Sequence, residues 1–124
     1  MTGLTLDENQ ANYQIRAYRP GSLQINDATY TRSIIVSPTK LIDNWEPQHI
    51  SELTHEHLAV IRELRPAILL LGTGSILEFP DLKIYGELLN EGIGVEIMNT
   101  SAACRTYNAL TAENRDVVAA LIIR

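Results

Sequence analysis

From Pro66 onward, short apolar runs take turns with segments of helical spacing, and this alternation constrains the fold more than any other property of the chain. Ala67 to Leu71 is an uninterrupted apolar run of the length and character of a strand buried on both faces. Gly72-Thr73-Gly74-Ser75 ends it. After Pro80, the residues Leu82, Tyr85, Leu88 and Leu89 predict one apolar face of a helix, with Gly92 as its stop. Gly86 within that helix costs about 1 kcal/mol against alanine, which predicts close contact between helix and sheet. Val95 to Met98 reads as the next strand, Thr100 or Ser101 as the cap of a third helix, and Asp116 to Ile123 as a last strand. A βαβαβ order of this kind is satisfied by right-handed crossovers and a parallel sheet flanked by helices.

The first half follows a period of two. Ile15 and Ala17 alternate with Gln14, Arg16 and Tyr18, and Leu23 and Ile25 alternate with polar residues beyond Pro20-Gly21, which suits a type II turn. A second turn near Asn26-Asp27 leads into a β-branched stretch from Thr29 to Ser37 that stops at Pro38. The segment 39–52, with Trp45 and Pro47 in a polar setting, fits neither period and reads as irregular. Thr54 can cap a helix from about His55 to Arg65, stopped by Pro66. The predicted architecture is a single compact α/β domain over residues 13–124, with a mixed sheet, an N-terminal antiparallel β part, a C-terminal βαβαβ part and about three helices. A loosely ordered tail, 1–12, precedes it.

A net charge of -5 and the absence of clustered Lys and Arg argue against a general nucleic-acid binder, whose affinity comes largely from such clusters. Cys104 is the sole cysteine, so no intrachain disulfide and no cysteine-based zinc site can form. The first ten residues carry neither the basic start and apolar run of a secretory signal nor the arginines of a transit peptide. No apolar run is long enough to span a bilayer. The expected location is the cytoplasm.

The chemistry converges on the strand-to-helix passage near residue 100. Glu96 stands on the same strand face as Met98 between apolar neighbours, and a buried carboxylate must be paired, hydrogen-bonded or protonated. Arg105, Thr106, Asn108 and Arg115 are the available partners, and the expectation is a polar partner from the following helix. In open α/β sheets ligands lie beyond the carboxyl ends of parallel strands. Those ends are the loop with Gly72, Thr73 and Gly74 and the loop with Asn99, Thr100 and Ser101. Together with Glu96, Arg105 and Asn108 they form the candidate pocket or functional surface.

Other constellations are incomplete. Gly72-Thr73-Gly74 follows a strand, but the third glycine of a dinucleotide fingerprint is Leu77 here and the helix starts too late. His55 and His57 are two apart and do not share a helix face, so no metal is assigned. Cys104 lacks a partner base and reads as core packing. No catalytic residue and no cofactor is assigned.

Glu96-Ile97-Met98-Asn99-Thr100, then Ala102-Ala103-Cys104-Arg105-Thr106-Tyr107-Asn108 with Leu110, Glu113 and Arg115, resembles the signature of the family of mitochondrial complex I assembly factor 3 and its bacterial and archaeal relatives of unknown function. Ser33 to Pro38, Trp45 and Leu70 to Gly74 agree with it, so the resemblance runs from about Tyr13 to the end. It implies a compact α/β domain with a mixed sheet, a role in complex I assembly for the mitochondrial relatives, and no established catalytic residues. The leading expectation is a non-enzymatic binding or assembly factor that holds a protein client through the third helix. The rival is a small-molecule-binding protein or enzyme using a pocket between loops 72–75 and 99–101. Exposed strands of the N-terminal sheet leave a homodimer open.

Overall fold

The computed structural model describes residues 11–124. The expected loose tail therefore lies outside the described residues up to residue 10. Asn12, the last residue of that segment, donates its amide to the Pro38 carbonyl at 2.8 Å and accepts from Asn26 Nδ2 at 2.7 Å.

The second half follows the predicted order: β6 (Ile68–Thr73), α2 (Leu82–Asn90), β7 (Gly94–Met98), α3 (Thr100–Ala112) and β8 (Val117–Ile122). Every residue of β8 is buried, because it lies at the centre of a five-stranded sheet. On one side it pairs in parallel with β6, which in turn pairs in parallel with β7 at the edge. On the other it pairs antiparallel with β4 (Ile34–Val36), which pairs antiparallel with β5 (Leu41–Ile42).

The register sorts side chains into two cores. Leu70, Ala119, Leu121, Ile34 and Val36 share one with Ala103 and Tyr107 of α3. Leu69, Leu71, Val118, Ala120 and Ile35 share the other with Leu88 of α2 and with Ile61 of α1 (Ala59–Leu64). Apolar strands at the centre of the sheet are thus covered on both faces, as their unbroken composition demands.

The N-terminal β part is a separate antiparallel sheet of β1 (Ile15–Arg19), β2 (Ser22–Ile25) and β3 (Ala28–Tyr30). The Pro20-Gly21 turn joins β1 to β2, with Gly21 at φ 89°, a conformation that suits glycine. Ile15, Leu23 and Ile25 face α3 and complete the first core.

Several expectations change here. The stretch from Thr29 to Ser37, read as one strand, is two strands in different sheets, because the chain crosses from one layer to the other at residues 31–33. In β1, Ile15 opposes Ile25 while Ala17 opposes Gln24, so Arg16 is an extra residue, a β-bulge. The bulge flips the alternation: Tyr18 rather than Ala17 packs on the core with Ile15. The helix expected over 55–65 is a 3₁₀ turn, His55–Leu58, followed by α1. Trp45, expected in a polar setting, is buried in the second core and donates from Nε1 to the His57 carbonyl at 3.1 Å. A side chain at Gly86 would meet only Leu82 Cγ, at 4.0 Å, so this glycine does not serve close contact with the sheet. The predicted apolar face of α2 is split: Leu88 is buried, whereas Leu82 and Leu89 face outward.

Candidate functional site

The two predicted loops do meet, and they close on each other. Thr100 is fully buried at the first position of α3. Its Oγ1 accepts from the Gly74 amide at 2.8 Å and donates to the Ile122 carbonyl at 2.5 Å, while its amide donates to the Gly74 carbonyl at 2.9 Å. A Cβ at Gly72 would stand 2.9 Å from both Thr100 Oγ1 and Leu121 Cδ2; one at Gly74, φ 99°, would stand 2.7 Å from the Arg124 carbonyl oxygen. The glycines therefore admit α3 and the end of β8 against the end of β6. Where a ligand was expected, the fold's own hydrogen bonds join the two loops.

Other members of the predicted set have similar duties. Thr73 Oγ1 donates to the Ile76 carbonyl at 2.7 Å and accepts from the Glu78 amide at 3.2 Å, closing the loop after β6. Asn99, not Thr100 or Ser101, is the cap of α3: its side chain accepts from the Ala102 amide at 2.9 Å. Asn108 grips β1, with Oδ1 accepting from the Ile15 amide at 3.1 Å and Nδ2 donating to the Ile15 carbonyl at 2.7 Å. That amide takes the place a neighbouring strand would hold. Tyr107 adds a bond from its hydroxyl to the Tyr13 carbonyl at 2.8 Å.

Glu96 departs most from expectation. It is exposed, and no described residue gives its carboxylate a hydrogen bond or ion pair. It shares the α3-facing side of the sheet with Met98, but β7 is the edge strand and α3 lies over β6 and β8. The helix reaches β7 at Met98, whose sulfur accepts from Thr106 Oγ1 at 3.5 Å, and leaves Glu96 in solvent. The expected partners are turned elsewhere: Arg105 Nη1 donates to Ser101 Oγ at 2.8 Å, and Arg115 lies 4.0 Å from Glu113. A carboxylate in solvent needs no partner, so the polar floor does not exist.

Ser101, Cys104, Arg105 and Asn108 line a different hollow, a cleft of about 220 Å³ between α3 and β1, walled on the other side by Ile15, Arg16, Ala17 and Tyr18. Burial pushes the Cys104 thiol up to about 12, outweighing the nearby Arg105 cation, so it stays a neutral thiol. Burial and the nearby thiol raise Tyr18 as well, and burial raises Tyr107. No general base stands ready for Cys104: among the side chains lining the cleft there is no His, Asp or Glu.

The histidine cluster resolves structurally too. His57 Nδ1 accepts from the Thr54 amide at 3.0 Å, so Nε2 carries the proton and meets Glu46 Oε1 at 2.6 Å. Among the described residues, no group of three or more His, Cys, Asp and Glu could hold a metal ion.

Two features escaped the sequence reading. A hollow of about 940 Å³ lies at the opposite end of β6, where Arg62 and Glu91 bind each other across it at 2.5 Å. More informative is a run of exposed apolar residues: Ile76 and Phe79 in the loop after β6 are 70% and 68% exposed, and Leu82 is 59% exposed, with Leu77 in the same loop and Leu89 about two turns further along α2 also exposed. The signal was legible as Ile76-Leu77-Glu78-Phe79-Pro80, three large apolar residues in a stretch without helical or strand period. No helix among the described residues is long and apolar enough to cross a membrane.

Residues 15–122 match the family described as "Protein of unknown function (DUF498/DUF598)". The chain is 32% identical to the "13 kDa major membrane protein" of Francisella tularensis, over 96% of its own length and 99% of that protein. It is 35% identical to the NADH dehydrogenase [ubiquinone] 1 alpha subcomplex assembly factor 3 of Danio rerio, covering 93% of itself and 67% of that protein. Among solved structures, a Bordetella parapertussis protein superposes with a TM-score of 0.84 at 34% identity, over 90% of this chain and 96% of that one. A Bordetella pertussis protein described as a Mth938-like domain gives 0.80 at 28% identity, over 99% and 90%.

Proposed function

The chain belongs to the DUF498/DUF598 family of proteins of unknown function, and from that premise we propose that it is a non-enzymatic binding or assembly factor for a protein client. The observation that carries this reading is the exposed apolar surface of Ile76, Leu77, Phe79 and Leu82. Large apolar residues exposed together mark interaction sites more often than ornament. Glu78, Asp81 and Glu87 are exposed around them against a single Lys83, which favours a client with an apolar face and basic rim. The assembly-factor relatives support the class of function. Of Arg105 and Asn108, the residues of α3 expected to hold the client, Asn108 is engaged with β1, which supports a docking surface on the loop after β6 and α2 in place of α3.

Against the rival pocket between loops 72–75 and 99–101 stand the hydrogen bonds of Thr100 to Gly74 and the close approach of the chain to Gly72 and Gly74. We keep the cytoplasm as the place of action; recovery of the protein in washed membranes of its own cells would move it.

The test places a photo-crosslinking amino acid at position 79 and, as a control, at position 113. The reading requires one reproducible adduct from position 79 only, with a protein whose mapped contact is apolar and basic-rimmed, lost in the Ile76→Ser variant at unchanged melting temperature. No adduct, or adducts only with a second copy of the chain, would end it.

A further inference from the structure

We propose that the cleft between β1 and α3 is a binding site for a small oxyanion, a carboxylate or phosphate group held by Arg16 and Arg105 with the Tyr18 hydroxyl donating to it. Four observations meet there. The first is the bulge. An extra residue in a strand re-aims a side chain, and here that residue is Arg16, placed at the rim of the cleft with no side-chain partner among the described residues. The second is the rigidity of the wall: Asn108 holds both backbone groups of Ile15, the residue before the bulge, so the strand cannot relax into regular pairing without breaking that grip.

The third is charge. Two arginines line one hollow in a chain of net charge -5, and no described acidic residue lines it with them. Arg105 spends one donor on Ser101 Oγ, which steadies it along the first turn of α3 and leaves most of its five or so N–H groups for a ligand. Cys104, a neutral thiol, adds no competing negative charge. The fourth is the Tyr18 hydroxyl, the one buried side-chain polar atom among the described residues without a hydrogen-bond partner. Such an orphan is costly in a native fold, and the cost is lifted when a side chain of the cleft wall turns aside and a bound group accepts from it. The cleft, about 220 Å³, is below the roughly 300–1,000 Å³ usual for drug-sized ligands, so the ligand is small. Guanidinium pairs and a hydroxyl donor are the recognition chemistry of an oxyanion.

None of these residues belongs to the client surface, so either proposal can fail alone. The test is an amide NMR titration of the whole protein with inorganic phosphate and, separately, with malonate, each against sodium chloride at matched ionic strength. Saturating shifts confined to residues 16–18 and 101–105 are expected. Phosphate alone would mark a tetrahedral head group, malonate alone a planar one. Combining Arg16→Gln with Arg105→Gln should weaken binding at least tenfold. Tyr18→Phe should weaken binding about threefold to tenfold while the ligand-free melting temperature stays level or rises, because the orphaned hydroxyl is gone. Absence of saturation with either probe, shifts that chloride reproduces, or full affinity in the double variant would overturn the site. A lowered melting temperature in Tyr18→Phe would overturn the role of the hydroxyl.

Discussion

The passage around Thr100 and the loop from Ile76 to Leu82 both adjoin the carboxyl end of β6, yet they have opposite characters. The first is rich in hydroxyl, amide and glycine, and all of it is consumed internally: Thr100 alone ties Gly74 and Ile122 together. The second is rich in apolar side chains and leaves them in water. Polar residues at a strand end are commonly read as a site and apolar ones as core. Here the polar cluster is the lock and the apolar cluster is the open surface. A polar group inside a fold is first of all a debt to be satisfied, whereas an apolar group left outside has nothing in the chain to satisfy it.

Variants can break this contrast. Gly74→Ala should have the largest effect, about 3 kcal/mol of stability, because a φ of 99° and a carbonyl oxygen 2.7 Å from the new Cβ act together. A thermal melt reads it; a wild-type melting temperature would mean that the joint yields easily. Thr100→Val keeps the shape but leaves the Gly74 amide and Ile122 carbonyl unpaired, for a loss of about 2 kcal/mol by denaturant titration.

Alkaline pH probes the packing under α3. The folded Cys104 thiol titrates near 12 rather than 9, so below about 9 both states hold the proton and its contribution is fully present. Above that the unfolded chain loses the proton first. Stability should therefore fall from pH 9 upward by at most about 1.4 kcal/mol per unit for this group. Tyr18 and Tyr107, also raised, add to the fall above 10. Urea titrations at pH 8, 9 and 10 measure the slope, and Cys104→Ala should flatten its first part.

The open surface should respond least. Ile76→Ser and Phe79→Ser change stability by no more than about 0.5 kcal/mol, while removing client adducts. Smallest of all is Glu96→Gln, indistinguishable from wild type in a melt within about 0.5 kcal/mol; a clear loss would restore the buried carboxylate that the sequence suggests.

The βαβαβ half was legible because its central strands, β6 and β8, are covered on both faces, and unbroken apolar runs after Pro66 and before the chain's last residue carry that information locally. The split of 29–37 into two sheets was not legible, since β-branched composition is the same on either side of a layer crossing. Nor was the bulge at Arg16, which is defined by a partner strand and not by β1 itself. The meeting of loops 72–75 and 99–101 followed from strand adjacency, but whether they enclose space depends on a few ångströms that only the packing of Thr100 decides. Glu96 misled because period two tells which face a residue is on and says nothing about how far a helix extends across that face.

The position of β8 has a consequence for the order in which the protein can be completed. It comes last in chain order among the described strands and stands between β4 and β6, which do not touch as partners without it. A nascent chain that stops short of Val117 holds two half-sheets and no centre. The first core is likewise open until α3 has emerged to grip Ile15 from 93 residues away. The central sheet therefore closes only once β8 is present, and ribosome-bound chains truncated at residue 116 should be cut by protease far faster than chains that run through residue 124 into a linker.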